Sequence, residues 1–164
     1  MRRTVAILGI LLIRGVIIIS GSAVATWVYA RSIVNYSDCY NITDILGQED
    51  DAHATIGLNP SFLGEVVVAL DAGHGMDANT EFTVFAWGSA TTNDKEEYYT
   101  VSVGMSSSSY ALVGSGDDQE NHTFTTPNYG SDWRYIFIQG ISGDIGEGDP
   151  NYGPEITAVG WDEP

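Results

Sequence analysis

Residues 133–139 read Trp133-Arg134-Tyr135-Ile136-Phe137-Ile138-Gln139, and residues 65–70 read Glu65-Val66-Val67-Val68-Ala69-Leu70. Both runs are short and rich in β-branched and aromatic side chains, which pack well on a pleated surface, so both read as β-strands. Both are also apolar on two faces, and a strand of that kind belongs in the centre of a covered sheet. Six further clusters of the same type surround them: Ala54 to Leu58, Phe82 to Gly88, Glu97 to Val103, Tyr110 to Val113, His122 to Thr126 and Glu155 to Trp161. Gly, Asn, Asp and Ser bound them, as turn residues should. After Arg31 no window sustains a 3.6-residue period for three turns, and only Cys39 to Leu46 is compatible with a short helix. The expected fold is therefore all-β, a two-sheet antiparallel β-sandwich of the jelly-roll type. Ser106 to Ser109 reads as a polar turn, and Ser142 to Gly153 as a long acidic loop of the kind that carries binding residues.

The charge is divided as sharply as the hydropathy. Of the 164 residues, Met1 to Arg31 hold four of the six basic side chains and none of the 22 acidic ones. The remainder sets 22 acids against Lys95 and Arg134, a formal balance of −20. Such a surface repels phosphate backbones, which excludes sequence-independent nucleic-acid binding, and attracts cations. Disorder is excluded too, because 43% apolar residues in strand-like clusters are enough to bury a core.

Arg2 and Arg3 followed by the apolar run Thr4 to Ala30 form an export signal or anchor, with the rest of the chain outside the cytoplasm. Three forms stay open. Ala23-Val24-Ala25 offers cleavage before Thr26. An uncleaved helix over Thr4 to Ala30 would span a bilayer, with Arg14 near mid-depth. Arg14-Gly15 followed by Val16 to Ala30 resembles the processing site and helix of archaeal pilin-like precursors. The organisation expected is a leader or helix over 1–31, a lead-in over 32–52 and the sandwich over 53–164. Sequons at Asn35, Asn41 and Asn121 agree with export. Cys39 is the single cysteine, so an internal disulfide is impossible; it is either a cross-link to a second chain or an unpaired thiol.

Asp44-Ile45-Leu46-Gly47, Asp50 and Ala54-Thr55-Ile56-Gly57 resemble the opening of galactose-binding-like, discoidin-type sandwiches of secreted bacterial and archaeal surface proteins. The similarity continues in order through Glu81 to Phe85, Tyr99 to Val103, Arg134 to Ile138 and Ile156 to Val159. The resemblance implies a jelly roll serving as an accessory or adhesion module, often stabilised by calcium. The last strand carries Glu155 where many relatives have an aspartate pair.

Calcium takes oxygen ligands gathered on loops, and the carboxylates suggest two candidate groups. Asp50 and Asp51 precede the first strand of the sandwich and Glu155 begins the last, so they converge if those strands are neighbours. Asp71, Asp77 and Asn79 form the second group. Trp87, Trp133 and Trp161 are candidate sugar-stacking surfaces, with sandwich core as the competing role. Asp71-Ala72-Gly73-His74-Gly75 is similar to the strand-end motif of zinc-dependent N-acetylmuramoyl-L-alanine amidases, with Glu81 and His122 as the remaining candidate ligands or base. The later signatures of that family are absent, and a simple turn is the alternative. The sequence thus points to a non-catalytic, calcium-binding surface protein with a structural or adhesive role, whose partners are itself, other surface proteins or the membrane; the alternatives are a carbohydrate-binding module recognising glycans and the zinc amidase.

Overall fold

The computed structural model describes residues 26–50, 52–59, 62–70, 75–87, 97–143 and 153–163. They form two five-stranded antiparallel sheets. The strands are β1 (Thr26–Tyr29), β2 (Ser32–Ser37), β3 (Ala54–Thr55), β4 (Gly57–Asn59), β5 (Phe62–Leu63), β6 (Glu65–Ala69), β7 (Glu81–Ala86), β8 (Glu97–Ser106), β9 (Ser109–Asp117), β10 (His122–Thr125), β11 (Tyr135–Gly143) and β12 (Glu155–Glu163). One sheet runs β1-β12-β7-β10 with β3 also on β12; the other runs β2-β6-β11-β8-β9, and β4-β5 is a small separate ribbon. A 3-10 turn, Ile42–Ile45, sits inside the segment expected to be a short helix.

The two runs quoted first are β6 and β11, adjacent and central in their sheet. Val66, Val68, Ile136 and Ile138 are fully buried and meet Val101, Val103 and Tyr99 of β8 in one core with Phe82, Val84 and Ile156 of the facing sheet. At about 25 cal/mol per Å² of apolar surface, each such side chain contributes roughly 1.5–3 kcal/mol, so this layer dominates the favourable side of folding.

All eight expected strand segments contain strands, and the N-terminal part needs correction. Thr26–Tyr29 is extended and paired with the C-terminal strand, from Thr26 opposite Glu163 to Tyr29 opposite Gly160. The helix expected over Thr4 to Ala30 therefore does not hold at Thr26–Tyr29, and the rest of that expected segment lies outside the described residues. Ser32–Ser37, expected as lead-in, is an edge strand on β6. The chain crosses between the sheets at Ala30 and Arg31, whose N–H groups donate to Val159 O at 2.8 Å and Ala69 O at 3.0 Å. No helix among the described residues is long and apolar enough to cross a membrane.

These pairings give the sandwich two ends. One carries Thr26, Glu163, Asp77, Asn79 and the β8–β9 turn. The other carries Thr55, Trp87, Glu97, Asp118 and Glu155, where strands from both sheets begin or finish.

Cys39 lies half-buried just after β2, its Sγ donating to Ser37 O at 3.2 Å and Glu65 O at 3.3 Å. Burial, helped by the neighbouring carboxylates of Asp38 and Glu65 against those two hydrogen bonds, pushes the thiol from 9.0 up to about 12. At pH 9 an ordinary thiol is half thiolate, whereas this one is about one part in a thousand. Iodoacetamide at pH 9 is expected to alkylate the native protein about 10²–10³ times more slowly than the urea-unfolded chain. Equal rates would refute the burial of Cys39. The same protection makes it a poor cross-linking thiol.

Candidate functional site

Glu97, Asp118 and Glu155 come from the starts of β8 and β12 and the end of β9, and the two sheets bring them together. They are 6%, 2% and 4% exposed, and one carboxylate oxygen from each lies within 4.8 Å of the others. Backbone ties fix the group. Asp118 N–H donates to Glu97 O at 3.1 Å, and Glu97 N–H returns a bond to Asp118 Oδ1 at 3.0 Å. Gly153 N–H donates to Glu97 Oε1 at 2.9 Å. Asp118 Oδ2 is buried with no hydrogen-bond partner among the described residues.

Three ionised carboxylates at this separation repel by roughly 3 kcal/mol per pair at an effective dielectric of 20. Burial raises the Asp118 carboxyl above the ordinary aspartate range, against hydrogen bonds from the Glu97 backbone, the Glu155 side chain, Gln119 and its own backbone. The set therefore favours a positive charge at its centre. Its all-oxygen donors suit a hard divalent cation, and Asp118 Oδ2 is a ready ligand atom, so calcium fits the residues present.

Beside this group stands an aromatic platform. Trp87 follows β7, and its N–H donates to Glu155 O at 3.0 Å, so the platform and the carboxylates share a backbone bond. Trp87 is 41% exposed, with the His53 ring tilted against it at 4.4 Å and 33°. Tyr98 and Tyr40 are also exposed.

The other expected site residues scatter. Of the tryptophans read as sugar surfaces, Trp133 and Trp161 are each 3% exposed and belong to the core, so neither offers a face to a ligand. Adjacency of the first and last sandwich strands holds for β3 and β12, with Thr55 opposite Glu155. Yet Asp50 points elsewhere: it is exposed and accepts from Ala52 N–H at 2.8 Å. Asp77 and Asn79 are exposed at the opposite end of the sandwich from Glu155, and Asp51 and Asp71 lie outside the described residues. Most of the amidase motif, 71–74, lies outside them too. Glu81 and His122 sit at opposite ends of the β7–β10 ladder, Glu81 against Thr125 and His122 against Val84. His122 Nε2 accepts from Asp117 N–H at 3.1 Å and lies 3.3 Å from Asp117 Oδ2, so it is engaged with β9 and not with Glu81. Asn35, Asn41 and Asn121 are all exposed, and Asn121 Oδ1 accepts from Ala86 N–H.

No protein-family model and no curated protein sequence matches the chain. Solved structures do match in fold. A CBM32 domain, CBM32-3, of a family 31 glycoside hydrolase from Clostridium perfringens superposes with a TM-score of 0.54 at 8% identity, over 82% of this chain and 90% of that one. The structure of the CBM32-1, CBM32-2 and M60 catalytic domains of Clostridium perfringens ZmpB gives a TM-score of 0.53 at 16% identity, over 83% of this chain and 14% of that much longer one. The sandwich thus has the galactose-binding-like jelly-roll fold that the sequence resemblance implied.

Proposed function

We propose that this is a non-catalytic, exported glycan-binding domain that stacks a sugar ring on Trp87 at the end of the sandwich holding Glu97, Asp118 and Glu155. The observation that carries this reading is the exposed Trp87 ring, braced by His53 and bonded through its backbone to Glu155. An exposed indole face matches the apolar C–H face of a pyranose, and a rigid ring loses little entropy on binding. The likeness to carbohydrate-binding modules supports the same reading over a purely structural subunit, and an adhesive role follows if the glycan is on another surface. Calcium at the carboxylate group would hold the strand ends that set the platform; its part is structural, because Trp87 and His53 make the surface.

Affinity electrophoresis through gels containing different neutral polysaccharides tests the proposal. Retardation by at least one of them, reduced ten-fold or more in apparent affinity by Trp87→Ala, is the expected result. Retardation unchanged by that substitution would reject the site. Export is supported by Arg2 and Arg3 followed by the apolar run Thr4 to Ala30, in which Ala23-Val24-Ala25 offers cleavage before Thr26. The intact mass of secreted protein should begin at Thr26, and a mass retaining residues 1–25 would overturn cleavage.

A further inference from the structure

At the end of the sandwich opposite Trp87, a pocket of about 240 Å³ is lined by Met105, Ser106, Ser109, Tyr110, Tyr129 and Trp133 among others. An apolar cavity of about 150 Å³ takes benzene, so this pocket has room for a group of that bulk or somewhat more. The fold fixes its walls. Trp133 is buried beneath it, paired with Met76 through two backbone bonds of 2.9 Å, and its Nε1–H donates to Tyr129 O at 3.1 Å. Tyr129 is 57% exposed, and its ring stands at 71° to that of Trp133 with centroids 5.6 Å apart, so it rises as a wall from a buried floor. Tyr110 leans on Phe137 at 5.3 Å and 37°. Met105 is exposed, and Gly130, at φ 76°, brings the loop close against it: a Cβ there would lie 3.0 Å from Met105 Sδ.

We propose that this pocket binds a quaternary ammonium group, of the trimethylammonium type carried by choline. The face of a tyrosine ring is the negative part of its quadrupole, and Tyr110 and Tyr129 offer two such rings to one cation. The Met105 thioether adds polarisable contact to the methyl groups. A fully methylated ammonium has no N–H to satisfy, so an aromatic pocket costs it less than it would cost a lysine ammonium. Charge selects the same ligand: beyond Arg31 the chain sets 22 acids against Lys95 and Arg134, and a surface of that sign gathers cations and repels anions. Arg134, next to Trp133, is paired with Asp132 through Nε at 3.0 Å, which offsets its repulsion. Shape separates the pocket from the sugar platform. A pyranose stacks on a level, open face such as that of Trp87, whereas a wall standing at 71° to its floor suits a rounded group of methyls. Ser106 and Ser109 add hydroxyls for the polar end of the ligand. The proposal goes beyond the glycan platform at Trp87 and does not depend on it.

The test is titration of ¹⁵N-labelled protein with choline and, in parallel, with its neutral carbon isostere 3,3-dimethylbutan-1-ol, at matched ionic strength. Choline should shift the amides of Met105, Ser109, Tyr110 and Tyr129 and bind at least ten-fold more tightly than the isostere. Tyr129→Ala should lower choline affinity at least five-fold with an unchanged melting midpoint, while Tyr129→Phe should keep it within two-fold, because the ring face and not the hydroxyl holds the cation. Equal binding of choline and the isostere, which needs no variant to observe, overturns the proposal and leaves an apolar pocket. So does choline binding that shifts Glu97 and Asp118 but not Tyr129, which would reduce it to attraction by the acidic surface. Vesicles distinguish the source of the group once choline is seen to bind. Retention of the protein on phosphatidylcholine but not on phosphatidylglycerol assigns a lipid headgroup, and retention on neither assigns a soluble ligand. Retention on both, unaffected by Tyr129→Ala, would overturn the site as the means of recognition.

Discussion

Trp161→Ala is expected to lower the free energy of unfolding by about 3–5 kcal/mol, whereas Trp87→Ala changes it by about 0.5 kcal/mol or less. The difference follows from position. Trp161 is 3% exposed and faces the core with Val159, and truncation leaves a cavity that the two facing sheets cannot close. Trp87 is 41% exposed and rests on His53, so its removal costs little packing. Urea unfolding followed by far-ultraviolet circular dichroism checks both, read as a shift of the midpoint at constant slope. A cost below about 1 kcal/mol for Trp161→Ala would mean that the last strand does not present that face to the core.

Calcium is expected to raise the melting midpoint by on the order of 5–10 °C at about 100 times its dissociation constant, because a ligand of the native state alone contributes roughly 2.7 kcal/mol there. Magnesium at the same ionic strength should do less, since it requires a tighter octahedral shell and dehydrates reluctantly. Asp118→Asn separates this site from general screening. The amide keeps an oxygen to accept from Glu97 N–H and removes one negative charge from a buried group of three. The variant should therefore be more stable than the parent in chelator, by about 1 kcal/mol or more, and should lose the calcium response. A variant that is less stable in chelator yet still responds to calcium would place the cation elsewhere.

Much of the sandwich is legible in short apolar clusters. The hydrophobicity of β6 and β11 on both faces specified their central places. β1 escaped because Trp27-Val28-Tyr29 continues the apolar leader without a change in hydropathy, and only pairing with β12 shows that it is extended. β2 escaped because it is a mostly exposed edge strand with polar residues and a sequon, which reads as a linker. Trp161 shows a different limit. Strict alternation from the buried Ile156 would turn Trp161 to the outer face, but the bulge between Ile156 and Ala158 reverses the phase and sends Val159 and Trp161 inward. A bulge adds one residue without a sequence signature of its own.

The carboxylate group was half legible. Glu155 is recognisable at the head of the last strand, but Glu97 and Asp118 look like ordinary solvated acids, and no local spacing links them. Their meeting depends on the β8–β9 register, which sets Tyr98 against Asp117, and on the packing of one sheet over the other. The signal available was that Glu97 and Glu155 each stand directly before a strongly apolar run, where a charge is drawn toward the core.

The central claim is that a sugar ring is received on Trp87. It is tested most directly by following the four tryptophan indole N–H resonances while the protein is titrated with an oligosaccharide of the polysaccharide that retards it most strongly. The account predicts that the Trp87 indole and the His53 ring shift together and saturate with the binding curve, while the buried Trp133 and Trp161 indoles stay in place. Saturable binding that leaves Trp87 and His53 unmoved would contradict it.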